Sequence, residues 1–270
     1  MSFFQIHAHP GKAARLLLPV LLFVVGVGVY MISANERHKE NPDEQITPSI
    51  SQMADGFNRA TFEKDRKGIY RLPMDTLASA KRFGISLGLL LFAVILGLHM
   101  GLFPYVELFL HKFVSFFDKI PALAVLPILF IVFGLGETSK VALILLGVFP
   151  TIALDTYLRA KNVPREQIIK AMSLGAGNLA VAYRVVLPQI WPGVLDTIRL
   201  NFKAIVLFLI AAEALSATMG LGYRIFLLRR YVAMDIIIPY VLYMSLLAFA
   251  ADLLVTWWVK KRYPWVAETH

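Results

Sequence analysis

Four uninterrupted apolar stretches, each near the length that crosses a bilayer, constrain this chain more than any other feature. A helix needs roughly 20 apolar residues for that crossing. Lipid offers no partner to an exposed N–H or C=O, so segments of this length and polarity resolve into helices that satisfy their own backbone. Composition agrees: 58% of the 270 residues are apolar and 17% are charged, with a mean hydropathy of +0.65. Soluble domains hold roughly 45–50% and about 25%. The fold class expected is all-α, a polytopic membrane helical bundle of about six transmembrane helices.

Lys and Arg total 27 against 18 Asp and Glu, a net charge of +9. In a soluble protein that excess would suggest nucleic acid. Here the basic residues flank apolar spans, where the positive-inside rule assigns them to the cytoplasmic side, so the expected surroundings are a lipid membrane and no nucleic acid. Cysteine is absent, which excludes a disulfide framework, a thiolate metal site and a cysteine nucleophile.

Residues 1–34 read as an N-terminal tail and a first transmembrane helix, with Lys12 and Arg15 before the apolar run Leu16 to Ser33 and the N-terminus inside. A cleaved signal peptide ending at Ile32-Ser33-Ala34 is the competing reading, disfavoured by an apolar run of about 18 residues. Residues 35–75 form a polar loop outside the membrane. In it, Thr47-Pro48 would open a short amphipathic helix bearing Ile50, Met53, Ala54 and Phe57, the other reading being a mobile linker. A transmembrane domain follows at 76–266, and residues 267–270 are a C-terminal tail.

Asp75 after Pro73 is the expected N-cap of the second span, which enters the membrane near Phe83 and leaves near Leu102. Its glycine pairs Gly84/Gly88 and Gly97/Gly101 would let a neighbour approach closely, and His99 reads as a packed histidine rather than a ligand. The third stretch, Val114 to Phe133, carries Pro121 and Pro127 and is expected as one kinked helix lining a pathway. The fourth, Val141 to Leu158, holds Pro150 and Asp155 and exits at Arg159, Lys161 and Arg165. The fifth, Thr197 to Leu215, contains Lys203 and Glu213. The sixth, Ile236 to Val259, contains Asp252 and ends at Trp257-Trp258 before Lys260, Lys261 and Arg262. Both termini then lie in the cytoplasm. Arg224, Arg229 and Arg230 fall outside, against the charge rule.

Between the fourth and fifth spans, Pro164 suits a first helical position, Ile168, Ile169 and Met172 make an apolar stripe, and Gly175 sits where a glycine closes a helix. About eleven helical residues reach about 16 Å against a roughly 30 Å hydrocarbon core, so this helix belongs in the cytoplasm. Asn178 would cap a second helix ending at Leu187-Pro188, with Trp191-Pro192 marking the return to the membrane.

The chain carries no G-x-x-x-x-G-K-[ST] phosphate loop, no H-E-x-x-H, no Ser-His-Asp grouping and no His/carboxylate cluster. It reads as a transport subunit and not an enzyme, with no catalytic or metal site and no cofactor of its own. His7 and His9 read as a solvated tail. Asp155, Lys203, Glu213 and Asp252 are candidates for function because charges at membrane depth are costly. Asp155 and Lys203 read as snorkelling side chains or a mutual pair near the inner interface, and Glu213 and Asp252 as structural. Arg224, Arg229 and Arg230 at the outer mouth would raise the local concentration of an anion.

Gly175, nine residues, and Val185-Val186-Leu187-Pro188 resemble the coupling signature of ABC importer permeases, E-A-A-x-x-x-G, nine residues, I-x-L-P. The E-A-A positions here read Ile169-Lys170-Ala171, with Glu166 one turn earlier. Pro121-Ala122-Leu123-Ala124, Phe133 to Lys140, Ser173 to Ala176, Ala212-Glu213, Gly220 to Tyr223 and Pro264-Trp265 are similar in order and spacing to the nitrate/sulfonate/taurine group of these permeases, over residues 72 to 266. The resemblance implies the type I permease fold in a bacterial inner (plasma) membrane. It implies a cytoplasmic coupling loop at 160–198, in which Glu166, Ile169, Lys170, Ala171, Met172, Gly175, Ala176, Leu187 and Pro188 meet ABC ATPase subunits that bind ATP and Mg. It also implies a periplasmic substrate-binding protein, a second permease copy as a homodimer, and an anionic solute passing Pro121, Pro127, Glu213, Arg224 and Arg229. The rival is a secondary transporter driven by an ion gradient, which predicts inverted repeats and mid-membrane charges.

Overall fold

A computed structural model describes residues 11–41, 46–64 and 68–265. His7, His9 and the tail 267–270 lie outside the described residues. The helices are α1 (Lys12–Glu40), α2 (Ile50–Phe62), α3 (Arg71–Leu102), α4 (Pro104–Asp118), α5 (Ala122–Phe133), α6 (Glu137–Lys161), α7 (Arg165–Ser173), α8 (Asn178–Val181), α9 (Leu187–Leu200), α10 (Phe202–Ser216), α11 (Leu221–Arg229) and α12 (Met234–Arg262). Only an isolated Lys64–Tyr70 bridge departs from helix and loop among the described residues. Helices α1, α3, α6 and α12 are each long and apolar enough to cross a membrane. The pairs α4–α5 and α10–α11 qualify only when joined, across bends of 101° and 56°, giving up to six spans.

Several boundaries differ from those the sequence suggested. Helix α1 continues through Glu40 rather than ending at residue 34, because polar helix formers extend a helix beyond lipid at little cost. Its C-terminal half is tied down where Tyr30 Oη donates to the Pro48 carbonyl at 2.8 Å. Helix α2 is capped by Ser49, not Thr47: Gln52 N donates to Ser49 Oγ at 3.3 Å and Ser49 N to Gln52 Oε1 at 2.8 Å. That reciprocal capping box satisfies two orphan N–H groups, which Thr47 followed by Pro48 could not do. The helix docks on the start of α12, with Arg59 Nη2 2.8 Å from Asp235 Oδ2. Helix α3 starts at Arg71, so Asp75 is an interior helical residue, wholly buried, and not an N-cap.

The third apolar stretch is not one kinked helix. Helicity resumes at Pro104, before Val114, stops after Asp118, and restarts at Ala122 with Pro121 as N-cap. Proline disfavours a helical residue before it, which turns the expected kink into a break. Pro150, by contrast, lies inside an unbroken 25-residue α6. Leu187-Pro188 does not end a helix either. Residues 178–200 are continuously helical through one π turn at Ala182–Val186, which widens the ladder just where Pro188 has no N–H to contribute. Asn178 is the first helical residue after the N-cap Gly177, and Pro192 is buried inside α9. The break before the fifth span falls at Asn201.

The core lies where α3 and α6 cross. Leu90, Leu98, Ile144, Val148 and Ile152 are fully buried there and continue into Val186, Val194 and Ile205. Of the two glycine pairs, Gly97/Gly101 makes the crossing: a Cβ on Gly97 would overlap the Ala153 carbonyl and lie 2.7 Å from Thr156 Cβ, and one on Gly101 would lie 2.6 Å from Ala160 Cβ. Gly84 and Gly88 have nothing within 4 Å.

Candidate functional site

Two constructions stand out from the apolar bundle. The first is the connection from α6 to α9. Helix α7 has nine residues, about 14 Å at 1.5 Å per residue, too short to span. Gly175 closes it at φ +87°, a left-handed conformation that disfavours a β-branched side chain. One face, with Ile168, Ala171 and Ala176, packs on the main core. The other leaves Ile169, Met172 and Leu174 exposed, at 55%, 47% and 83%. Glu166 and Lys170 flank that apolar edge, also exposed, while Leu187 is half-buried and Pro188 exposed at the π turn. Seven of the nine coupling positions named from the sequence thus lie on α7 and its closing turn, and the other two, Leu187 and Pro188, open α9 after the π turn.

The second construction was not anticipated. Asp75, Ser79 and Arg82 follow one another at i, i+4 and i+7, forming a polar stripe on one face of α3, which is buried against α6, α10 and α11. Arg82 lies about 16 Å along the helix from its start. Its Nη1 donates to Glu213 Oε1 at 2.7 Å and to the Met219 carbonyl at 2.9 Å. Its Nε and Nη2 grip both oxygens of Glu137 at 2.5 and 2.9 Å. Lys140 Nζ adds a bond to Glu137 Oε1 at 2.8 Å. Glu213, wholly buried, also accepts from Ser79 Oγ at 2.8 Å and from Gly222 N at 2.8 Å. Asp75 accepts from Gly220 N at 3.0 Å and from Arg224 Nε at 2.8 Å. One more turn along, Ser86 Oγ is buried without a hydrogen-bond partner among the described residues. The signal available in the sequence was that i, i+4, i+7 stripe; Arg82, just before the expected membrane entry at Phe83, drew no reading of its own.

Of the pathway residues expected from the sequence, Glu213 and Arg224 enter this network. Arg224 is committed to Asp75, whereas Arg229 is exposed and stacks its guanidinium over Phe226 at 5.6 Å. Pro121, the N-cap of α5, and Pro127 within it are exposed. Of the two readings of Asp155 and Lys203, the mutual pair does not form. Asp155 binds Arg159 at 2.6 Å and Thr197 Oγ1 at 2.6 Å, one helical turn from its own position and across to α9. Lys203 is exposed and meets no acid among the described residues. Asp252 holds Arg199 at 3.0 Å, joining α12 to α9. His99 is packed, stacked on Phe103 and edge-on to Tyr183. At the same end, Glu107 on α4 pairs with Lys161 and accepts from Tyr157 Oη at 2.6 Å.

Comparison with known proteins gives the arrangement its place. The family of binding-protein-dependent transport system inner membrane components matches residues 90–262. The taurine transport system permease protein TauC of Escherichia coli is 33% identical over 229 residues, 84% of this chain and 80% of that protein. A probable ABC transporter permease of Brucella abortus is 31% identical over 255 residues, 90% and 96% of the two chains. A putative aliphatic sulfonates transport permease of Escherichia coli is 30% identical over 146 residues, 54% and 56%. The multi-pass helical bundle, the glycine-closed α7 and these relatives agree, and the chain belongs to the binding-protein-dependent transport system inner membrane components, the permease subunits of ABC importers.

Proposed function

We propose that this permease passes a small sulfonate-type anion such as taurine, delivered by a periplasmic substrate-binding protein, across a bacterial inner membrane. Both termini lie in the cytoplasm, two copies form a homodimer, and separate ATPase subunits bind ATP and Mg and grip α7. The observation that carries the reading is α7 itself. A helix anchored to the core on one face and apolar on the other is a rigid knob with an unfilled contact surface, held in register by Gly175. A push on that knob reaches the bundle core, because Ile168 and Ala171 pack against its buried residues. The solute class rests on the relatives that carry taurine and aliphatic sulfonates in their names. The exposed face of α5, with Pro127, Ile128 and Ile131, is assigned to the pathway between the copies.

The test is affinity purification of the tagged chain from its native membrane in mild detergent, with mass identification of what copurifies. A phosphate-loop ATPase is expected, and Gly175→Val is expected to lose it while leaving insertion intact, since valine is strained at φ +87°. Normal ATPase association in that variant would overturn the role of α7. Recovery of the chain alone, with uptake collapsing when the ion gradient is dissipated, would favour a secondary transporter.

A further inference from the structure

We propose that Arg82 and Lys140 form an oxyanion site, held in this structure by the carboxylate of Glu137, and that the transported anion displaces Glu137 as it passes. The inference deepens the anion reading above and rests on it. Its basis is an asymmetry of burial. The Glu137 side chain is 63% exposed, while those of Arg82 and Lys140 are 7% and 4% exposed. Two buried cations therefore lie beneath an exposed carboxylate of the chain itself.

The fit is chemical as well as electrostatic. Arg82 presents the parallel Nε and Nη2 edge, at 2.5 and 2.9 Å from the two oxygens, that binds a carboxylate or sulfonate bidentately. Lys140 adds a third donor to the same group. Losing Glu137 would not let Arg82 swing away, because its Nη1 stays anchored to Glu213 and the Met219 carbonyl. Glu213 is already engaged by Ser79, Gly222 and Arg82 Nη1, and leaves Nε and Nη2 of Arg82 to Glu137. With Glu137 in place, Arg82, Lys140, Glu137 and Glu213 balance in charge. Without it one positive charge is left buried and uncompensated, a cost that an incoming anion removes. Glu137 is suited to moving, since it opens the first turn of α6 directly after the exposed turn Gly134-Leu135-Gly136. The free N–H groups of that first turn add to the positive potential.

The experiment uses the full chain purified in detergent, with thermal stability titrated by methanesulfonate, and with chloride and neutral dimethyl sulfone as controls at matched ionic strength. Wild type is expected to gain stability only at high methanesulfonate. Glu137→Gln is expected to start less stable and to recover at about tenfold lower concentration, with neither control reproducing the effect. A Glu137→Gln protein that methanesulfonate protects no better than chloride overturns the site. Lys140→Met, expected to weaken protection of the otherwise native chain about tenfold, decides the matter independently if Glu137→Gln does not accumulate; unchanged protection overturns it. In the assembled importer, Glu137→Gln is expected to lower KM and kcat for sulfonate together, because the anion is held more tightly and released more slowly, whereas loss of a merely structural ion pair lowers kcat alone. Sulfonate uptake without anion-specific protection defeats the site and leaves the proposed function standing. Anion-specific protection without sulfonate uptake defeats the solute assignment and leaves the site.

Discussion

The Arg82–Glu213 contact makes an asymmetric prediction that a double-mutant cycle can test. Replacing Arg82 with Met leaves Glu213 wholly buried beside Ser79 and the Gly222 N–H but with no cation. Breaking a buried pair from one side costs about 3–5 kcal/mol, since the surviving charge has lost its compensation. The other partner of Arg82, Glu137, is 63% exposed and keeps Lys140 as a cation partner, so its loss of Arg82 adds little. The reverse replacement, Glu213→Gln, leaves Arg82 still held by both oxygens of Glu137. It therefore removes one charged hydrogen bond and sets an amide against either the guanidinium or the Gly222 N–H, a loss of about 1.5–3 kcal/mol. With both replaced, no uncompensated charge stays buried, and the double variant should be no less stable than Arg82→Met alone. The coupling energy then reaches about 1.5–3 kcal/mol. Equilibrium unfolding in bicelles by steric trapping measures all four corners of the cycle. Losses that add to within about 0.5 kcal/mol, or a Glu213→Gln variant weaker than Arg82→Met, would refute the view that Glu213 depends on Arg82 while Arg82 is shared.

Gly97→Val should sharply reduce the folded fraction, because its side chain would meet the Ala153 carbonyl and Thr156 at the α3–α6 crossing, with overpacking costing about 1–3 kcal/mol or more. Gly84→Ala, with open space around it, should be neutral in the same size-exclusion assay of detergent-solubilised protein. Arg229→Gln with Arg230→Gln should lower anion uptake at low salt and converge on wild type at high salt, since exposed charges act by screened steering; equal kinetics at both ionic strengths would leave them without that role.

Parts of this architecture are readable along the chain, for reasons that differ from part to part. The apolar stretches and their basic flanks suffice for a multi-pass bundle, because the cost of exposing backbone polar groups to lipid acts on every segment locally. Gly175 is equally local: a closing glycine after a short amphipathic run needs no tertiary partner to be recognised, and the structure places it at φ +87°. The prolines were harder. Pro121, Pro150 and Pro188 look alike in sequence, yet one caps the start of a helix, one sits in an unbroken helix and one follows a π turn. Which outcome prevails depends on whether neighbouring helices and ladder rearrangements satisfy the freed carbonyl.

The buried network shows where sequence reading stops. Asp75 as an N-cap was reasonable locally, and so was Asp155 paired with Lys203. A charged residue at membrane depth announces that it needs a partner, but not which one. Partners of Arg82 lie 55 and 131 residues away in sequence, and only the packing of α6 and α10 on α3 brings them within 3 Å. The sequence by itself determined the environment, the number of apolar segments and the short helix closed by Gly175, because those follow from hydropathy and backbone conformation. Tertiary structure alone decided which charges neutralise one another and which carboxylate is left exposed over two buried cations, because electrostatic energy depends on distances that helix packing sets.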